Sequence, residues 1–473
     1  MDKKQRLRIV KTIIQVGIAV VGIWWVVSKM SWKDHVLAIL PGQTMPTKDV
    51  VLATDHATDS DLAYQVIDPR TENTITLPRD RVINEPDRPK MILFDQRGTL
   101  KYVVGIDLTP DLKQARKLLV ADQPTGRVAT WAPASDFPSY QISVPHPRVQ
   151  IGVLRMIRGA KIHYIIAALA IFPLTILITS LRWHELLKAL EIRLTVERTF
   201  VLNMVGLFWN TIIPTGSTGG DLLKAHYVAK QTHHRTRAWM SVLVDRAVGL
   251  LALIILGGTM AALQSHIPRC RQVAIASAAI VGLVAIGMIV FYVPLLHKLS
   301  GLDFVLSRLP MQKQVRNAVE TLHILGRRPL LAAGALIVSF PVHMVVITAA
   351  QLCGVAFGLH LSLFYYWMAV PVIVLSAAIP ISPQGAGVME YFAIKLLEPQ
   401  GVTVAQAFAL TMSIRLTQIF WNLTGFFFVV RGGYHAPTQS EQKQVEIEDE
   451  DENSETENPK TEIQMTNEIQ NHP

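Results

Sequence analysis

Between Asn210 and Lys224 the chain reads NTIIPTGSTGGDLLK, a polar interruption between two apolar segments. It holds one proline, three glycines, four hydroxyl side chains and the acid–base pair Asp221 and Lys224. Gly216, Gly219 and Gly220 let the backbone turn sharply and leave amides uncovered, and Pro214 stops any helix that runs into it. Asp221 and Lys224 lie three apart, on one face of a helix starting after the glycines. A second interruption, AAIPISPQGAGVMEYFAIK from Ala377 to Lys395, repeats the chemistry with Pro380, Pro383, Gly385 and Gly387, and Glu390 stands where Asp221 stood. Irregular backbone at membrane depth persists only where it is buried in protein or lines a wet cavity. Both interruptions are therefore candidates for the working site.

Other ionisable groups fall inside apolar runs, where each costs about 2.5–3.5 kcal/mol on insertion scales and needs a partner or a purpose. Asp245 and Arg246 sit in SVLVDRAVGL, Arg415 in SIRLTQIFWN, Lys395 follows the second break, and His343 follows Pro341. Two arrangements are open. In one, Arg415, Arg246 and Lys224 hold a phosphate while Asp221 and Glu390 hold an amine or sugar hydroxyls. In the other, acids and bases neutralise one another and fix helix packing. TGSTGG lacks the Gly-Lys-Ser/Thr ending of a Walker motif. His233 and His234 read as a solvated pair beside arginines, and His35, His56 and His146 lack metal-ligand spacing. No catalytic residue, metal or cofactor is expected. Cys270 and Cys353 are the only cysteines, too few for a disulfide framework.

The elements that must position these groups are apolar. Half of the 473 residues are hydrophobic, and they arrive in blocks near the ~20 needed to cross a bilayer. Spans are expected at Ile13–Val27, Ile162–Leu181, Trp239–Leu263, Val273–Leu296, Leu330–Phe357, Leu361–Ile379 and Val404–Val430. Phe200–Ile213 is too short to cross, and LRWHELLKALEIRL reads as a basic, amphipathic connector. Trp24, Trp25, Trp183, Trp239, Trp367 and Trp421 lie mainly near span ends, as an aromatic belt does. Pro173 and Pro341 are expected to kink their helices.

The net charge of +9 hides a split. From Tyr434 onward eleven acids face two lysines, a net of −9, which leaves +18 for residues 1–433. Such an excess marks cytoplasmic loops and anionic headgroups rather than nucleic acid. Lys and Arg number five in 1–11, four in 182–199, four in 221–238 and six in 294–328, against two in 264–272 and none in 398–403. The positive-inside rule then places the N-terminus and the tail in the cytoplasm of a multi-pass protein of the cell membrane. Residues 200–238 become a re-entrant hairpin, and the second break is its counterpart entering from the other side, as in an inverted-repeat transporter.

Residues 31–157 change character. DVVLAT, TITLP, KMILFD and KYVVGID read as strands, and LTPDLKQARKLLV as a helix with Asp111 in its first turn. The expected architecture is an all-α polytopic membrane bundle with two re-entrant broken-helix hairpins. Its parts are a first span with a basic N-terminus over 1–30, an outer mixed α/β insertion over 31–157, a membrane domain over 158–433 and a disordered acidic tail over 434–473.

Taken in order, LRWHELLKAL, NTIIPTGSTGGDLLKAHYVAK, SVLVDRAVGLLAL and PISPQGAGVMEYFA resemble the membrane domain of the lysylphosphatidylglycerol synthase/flippase-like family, weakly over 1–27 and well over 162–430. That resemblance implies an integral membrane bundle which, in bifunctional members, moves an aminoacylated phospholipid between leaflets. It singles out Asn210, Pro214, Gly219, Gly220, Asp221, Lys224, Asp245, Arg246, Pro383, Gly385, Gly387 and Glu390 as headgroup-binding residues, to which the charge argument adds Arg415. Bifunctional members carry a soluble aminoacyltransferase domain after the membrane part. Here an acidic tail follows instead, so a flippase-like role is expected over synthesis of aminoacyl-lipid. The 31–157 insertion is also foreign to the family pattern, in which the first two spans are closely joined. Stand-alone members are similar to proteins of polyprenyl-linked glycan or lipid pathways. Membrane lipids are the expected partners, with a pathway enzyme as a further one. The rival readings are an intramembrane transferase using Asp221 or Glu390 as base, and a non-catalytic scaffold acting through the outer domain or tail.

Overall fold

The computed structural model describes residues 3–28, 30–54, 56–59, 61–84, 91–94, 100–108, 115–122, 128–137, 149–213, 219–232, 234–299, 312–378, 382–432 and 434. Pro214, Pro380, Asp111, His233 and the acidic tail after Tyr434 lie outside them.

The first helix, α1 (Lys3–Ser28), has 26 residues, roughly 39 Å of helix. It leads into a strand-rich region. β1 (His35–Ala38) pairs antiparallel with β2 (Thr47–Val51), β5 (Val82–Ile83) and β10 (Val149–Gln150). β3 (Ala63–Ile67) and β4 (Thr74–Pro78) form a hairpin. β6 (Met91–Phe94), β7 (Leu100–Leu108), β8 (Ala115–Ala121) and β9 (Ala129–Pro133) form a second antiparallel sheet in sequential order. The four expected strand segments are all strands. ARKLLVA, expected to continue a helix, is instead β8. It is bonded on both edges, and Leu118 to Ala121 are all buried. Ladder pairing and burial on both faces override its helical propensity. Between residues 31 and 150 the described residues hold strands and two single 3-10 turns, and the one described helix that begins inside the 31–157 insertion, Val153–Arg158, comes at its end, so the described insertion is mainly β rather than evenly mixed.

Buried Asp34 ties this region to the helices. Its carboxylate accepts the Gly152 N–H at 2.8 Å and pairs with Arg155 at 2.7 Å, on the short helix α2 (Val153–Arg158).

The remaining chain is helical. α3 (Ile162–Ile171) and α4 (Pro173–Ala189) meet at Phe172, with Pro173 opening α4 where its missing N–H costs nothing. α5 (Val196–Ile212) is capped by Thr195, whose hydroxyl accepts the Arg198 N–H at 3.2 Å. α6 (Gly219–Ala229), α7 (Arg235–Leu263), α8 (Pro268–Tyr292), α9 (Pro294–Leu299), α10 (Gln312–Gly326) and α11 (Pro329–Ala356) follow. α12 (Leu363–Ala378) ends at the second break. α13 (Val388–Leu397), α14 (Val404–Leu423) and α15 (Gly425–Gly432) complete the fold. Among the described residues, α3–α4 together, α7, α8 and α11 are long and apolar enough to cross a bilayer. α5, α6, α12 and α13 have 17, 11, 16 and 10 residues, about 25, 16, 24 and 15 Å, each short of a ~30 Å hydrocarbon core.

Two boundaries differ from those expected. The segment 182–189 is not a connector but the last turns of α4. Arg182 and Trp183 point into the bundle, where ion pairing and packing remove the reason for them to face water. Trp183 is accordingly fully buried and no part of an aromatic belt, while Trp24 and Trp239 are exposed as a belt requires. The last span divides at Thr424, where Gly425 comes against the Met204 carbonyl of α5 too closely for any side chain. Both cysteines are free and buried.

Candidate functional site

The first break is organised by the α5–α6 contact. Gly206 of α5 and Gly220 of α6 touch backbone to backbone, and a Cβ on Gly220 would overlap the Gly206 carbonyl oxygen outright. Asn210, one turn beyond Gly206, accepts the Gly220 N–H on Oδ1 at 2.7 Å, satisfying an amide that the new helix leaves without an internal acceptor. Asn203, Gly206 and Asn210 fall at i, i+3 and i+7, so α5 presents one small, polar stripe to α6.

Lys224 is 4% exposed and reaches along that stripe. Its Nζ donates to Asn203 Oδ1 at 3.4 Å and sits 4.2 Å above the Trp183 ring. Asn203 in turn donates to Ser180 at 2.9 Å, and the Trp183 indole N–H donates to Ser241 at 3.2 Å. Among the described residues no carboxylate lies within ion-pairing distance of Lys224. A desolvated cation–π contact, about 2 kcal/mol, offsets only part of the cost of burying that ammonium.

Asp221, expected to share a face with Lys224, instead pairs with Arg246 at 2.5 Å, both side chains about a quarter exposed. Asp245 turns the other way. It is buried and receives Arg182 Nε at 2.9 Å, while Arg182 also donates to Ser339 at 2.5 Å and to the Asp245 carbonyl at 3.2 Å. His343 donates from Nε2 to the Gly249 carbonyl at 2.8 Å beside them. A polar seam thus runs through α4, α5, α6, α7 and α11.

The second break has three left-handed residues in four positions: Gln384 (φ 49°), Gly385 (φ 68°) and Gly387 (φ 83°). Glycine takes this conformation freely, whereas Gln384 takes it at a cost of about 1–2 kcal/mol. Pro383 to Gly385 form a 3-10 turn, after which α13 begins. Glu390, fully buried, reaches back to accept the Gly387 N–H at 2.7 Å and lies 2.8 Å from Arg415 of α14. That Glu390–Arg415 contact is an ion pair without hydrogen-bond alignment, because Glu390 Oε1 and Arg415 Nε have no hydrogen-bond partner among the described residues. Arg415 rests against the sulfurs of Met389 and Met412.

The two breaks meet. Gln384 Nε2 lies 3.5 Å from the Thr211 carbonyl at the end of α5, and Asn422 of α14 donates to Thr211 Oγ1 at 3.1 Å. Of the residues named from sequence, Asn210, Gly220, Asp221, Lys224 and Arg246 gather at the first break, Pro383, Gly385, Gly387, Glu390 and Arg415 at the second. Gly219 is buried at the start of α6, and Asp245 belongs to the Arg182 cluster. Arg182, Trp183, Ser180, Asn203 and Gln384 were not foreseen. Asn203 was within reach, through its helical spacing from Asn210.

Apolar helices of spanning length, broken helices between them and buried ion pairs together define a multi-pass helical membrane protein. The chain belongs to the family described as the lysylphosphatidylglycerol synthase TM region, whose pattern matches residues 152–425, more than half of its length. It is similar to a UPF0104 membrane protein of Pyrococcus horikoshii, 22% identical over 289 residues covering 57% of this chain and 86% of that protein. A UPF0104 membrane protein of Methanothermobacter thermautotrophicus is also 22% identical, over 57% of this chain and 84% of its own. One from Methanocaldococcus jannaschii is 28% identical over 97 residues, 20% of this chain and 29% of that protein. No solved structure matches the chain. α1 and the strand region lie outside the matched residues.

Proposed function

We propose that this protein binds the polar headgroup of a phospho- or polyprenyl-linked lipid between its two broken segments and moves it across the bilayer, the tails staying in hydrocarbon. The observation that carries this reading is the meeting of the breaks at Thr211 and Gln384, with Asp221–Arg246 beside one and Glu390–Arg415 beside the other. Each break lies between helices too short to cross alone, which supports two re-entrant hairpins of opposite entry. The N-terminus and tail are then cytoplasmic in the cell membrane and the strand region outside.

The charged groups already neutralise one another, so a headgroup enters by exchange. A phosphate replaces a carboxylate on Arg246 or Arg415, and Lys224 supplies a cation with no carboxylate among the described residues to displace. The freed Asp221 or Glu390 carboxylate then takes an amine or sugar hydroxyl of the same headgroup, so that no buried charge is left unpaired. Binding must differ between inward and outward states for the lipid to shift their equilibrium.

The test is leaflet exchange of fluorescent anionic, zwitterionic and polyprenyl-phosphate lipids in vesicles holding the protein. Wild type accelerates exchange of at least one phosphate-bearing lipid, and Asp221→Asn, Lys224→Gln and Glu390→Gln, checked for folding by thermal melting, lose it. Exchange no faster than in protein-free vesicles for every headgroup sinks the proposal.

A further inference from the structure

An open groove of about 560 Å³ lies between α1 and the start of α13. Ile14, Gly17, Ile18 and Val21 of α1 line it together with Gly387, Val388 and Tyr391 at the start of α13. Its size is that of an ordinary small-molecule site, yet its walls bring no charge and, in the Tyr391 hydroxyl, one polar side-chain group.

Two contacts hold the groove open. Gly22 and Gly387 touch backbone to backbone, so that a Cβ on Gly22 would lie 2.7 Å from the Gly387 Cα. The Trp25 and Tyr391 rings pack with centroids 6.0 Å apart. The mouth opens onto the face of α1 that carries Ile14, Val21 and Trp24, all more than half exposed, which is the surface a helix of this composition turns to hydrocarbon. With α1 as a membrane span the groove faces the bilayer interior, and an alkyl chain is the occupant its apolar lining accepts.

The other side of α13 says which alkyl chain. The Gly387 N–H is held by Glu390, whose side chain faces the core while Val388 and Tyr391 face the groove. Glu390 Oε1 and Arg415 Nε, both buried, lack hydrogen-bond partners among the described residues. Buried polar atoms are ordinarily satisfied, and with Glu390 Oε1 already 2.8 Å from the Arg415 guanidinium it is the Arg415 Nε–H that retains capacity for an acceptor. Apolar groove and unsatisfied ion pair are separated by a single turn of α13, the spacing between the chain and the headgroup of one amphiphile.

We infer that the α1–α13 groove is a binding site for a hydrocarbon chain of the phospholipid whose headgroup is handled at the second break. This rests on the translocation reading for the headgroup and adds the path of the tail. α1, which lies outside the family-matched residues, thereby becomes a wall of the lipid site.

The test uses the full chain in phosphatidylcholine vesicles containing phosphatidylglycerol with a diazirine in one acyl chain, irradiated and mapped by mass spectrometry. A Cβ at Gly17 meets nothing within 4 Å and Gly17 lines the groove, so Gly17→Phe is the variant chosen to fill it. Adducts on Ile18, Val21 and Tyr391 are expected several-fold above those on Leu283 and Ile286 of α8, which are as exposed as Val21. Gly17→Phe lowers the groove adducts several-fold and leaves those on α8 unchanged. Equal labelling of groove and α8, or groove labelling indifferent to Gly17→Phe, overturns the inference. So does efficient disulfide dimerisation of a Val21→Cys variant, which would place a second copy of the chain in the groove. Labelling requires no transport: groove adducts in a protein that exchanges no lipid would retain this site and remove the translocation reading instead.

Discussion

Gln384 holds its side-chain amide 3.5 Å from the carbonyl oxygen of Thr211, so the last turn of α5 and the turn before α13 are in contact. Segments 173 residues apart in sequence are therefore one structural unit. The joint is weak. One long hydrogen bond and the 3.1 Å bond from Asn422 contribute about 1 kcal/mol each at most, little enough to open repeatedly. Joining a Thr211→Cys, Gln384→Cys pair with a short bifunctional thiol reagent should stop lipid exchange while leaving the melting temperature unchanged or raised. Undiminished exchange in fully cross-linked protein would mean that the joint does not move during transport.

Glu390 and Arg415 form a buried pair, and removing one member of such a pair costs about 3–5 kcal/mol because the other charge stays behind uncompensated. Glu390→Gln keeps an oxygen for the Gly387 N–H but strands Arg415. We expect it to melt well below wild type. Arg415→Met added to it removes the stranded charge and places a thioether beside Met389 and Met412, so the double variant should recover most of the loss. Its lipid exchange should stay absent, because both charges are gone. A double variant no more stable than Glu390→Gln would show that the deficit comes from packing and not from charge.

The strong features of this architecture were legible because each depends on local composition. Apolar length announced the long helices, and Pro and Gly announced both breaks. The pairing of charges was not legible. Asp221 and Lys224 share a helix face on paper, but Arg246 from α7 takes the acid and Trp183 from α4 takes the base. Both choices depend on which helices are neighbours. Arg182 was misplaced for a related reason: a charge at the end of an apolar run reads as a loop, and only its partner Asp245, 63 residues away, makes it a buried helical residue. ARKLLVA became a strand through two neighbours that its own propensity does not report.

The α5–α6 contact makes a graded prediction about two glycines. A Cβ on Gly220 would overlap the Gly206 carbonyl and lie 2.6 Å from the Asn210 nitrogen, both backbone atoms that cannot swing aside. A Cβ on Gly206 would lie 3.2 Å from the Gly220 oxygen and 3.3 Å from the Lys224 Cβ, tight but open to small adjustment. Overpacking of this kind costs about 1–3 kcal/mol and more where nothing can yield. Gly220→Ala should therefore cost 3 kcal/mol or more, roughly, and Gly206→Ala about 1, whereas Gly282→Ala, with open space around it, should be silent. Melting temperatures in one detergent give the ranking, and equal effects at Gly206 and Gly220 would contradict the close approach.

In the strand region, Asp68 closes the turn between β3 and β4. The Arg70 guanidinium, and then the Arg70 N–H, bond its carboxylate and hold its pKa below the ordinary value. Because the folded-state pKa is depressed, the contribution is complete above the unfolded Asp value of about 3.9 and is lost as pH falls through the lower folded value. Asp68→Asn cannot take part in that titration. Protease cleavage within residues 63–78 should be faster in Asp68→Asn than in wild type at neutral pH, measured with a protease active across the range. The two rates should converge only well below the ordinary value. Convergence at or above it would place the Asp68 pKa at its unperturbed position and remove Arg70 as the group that holds this turn.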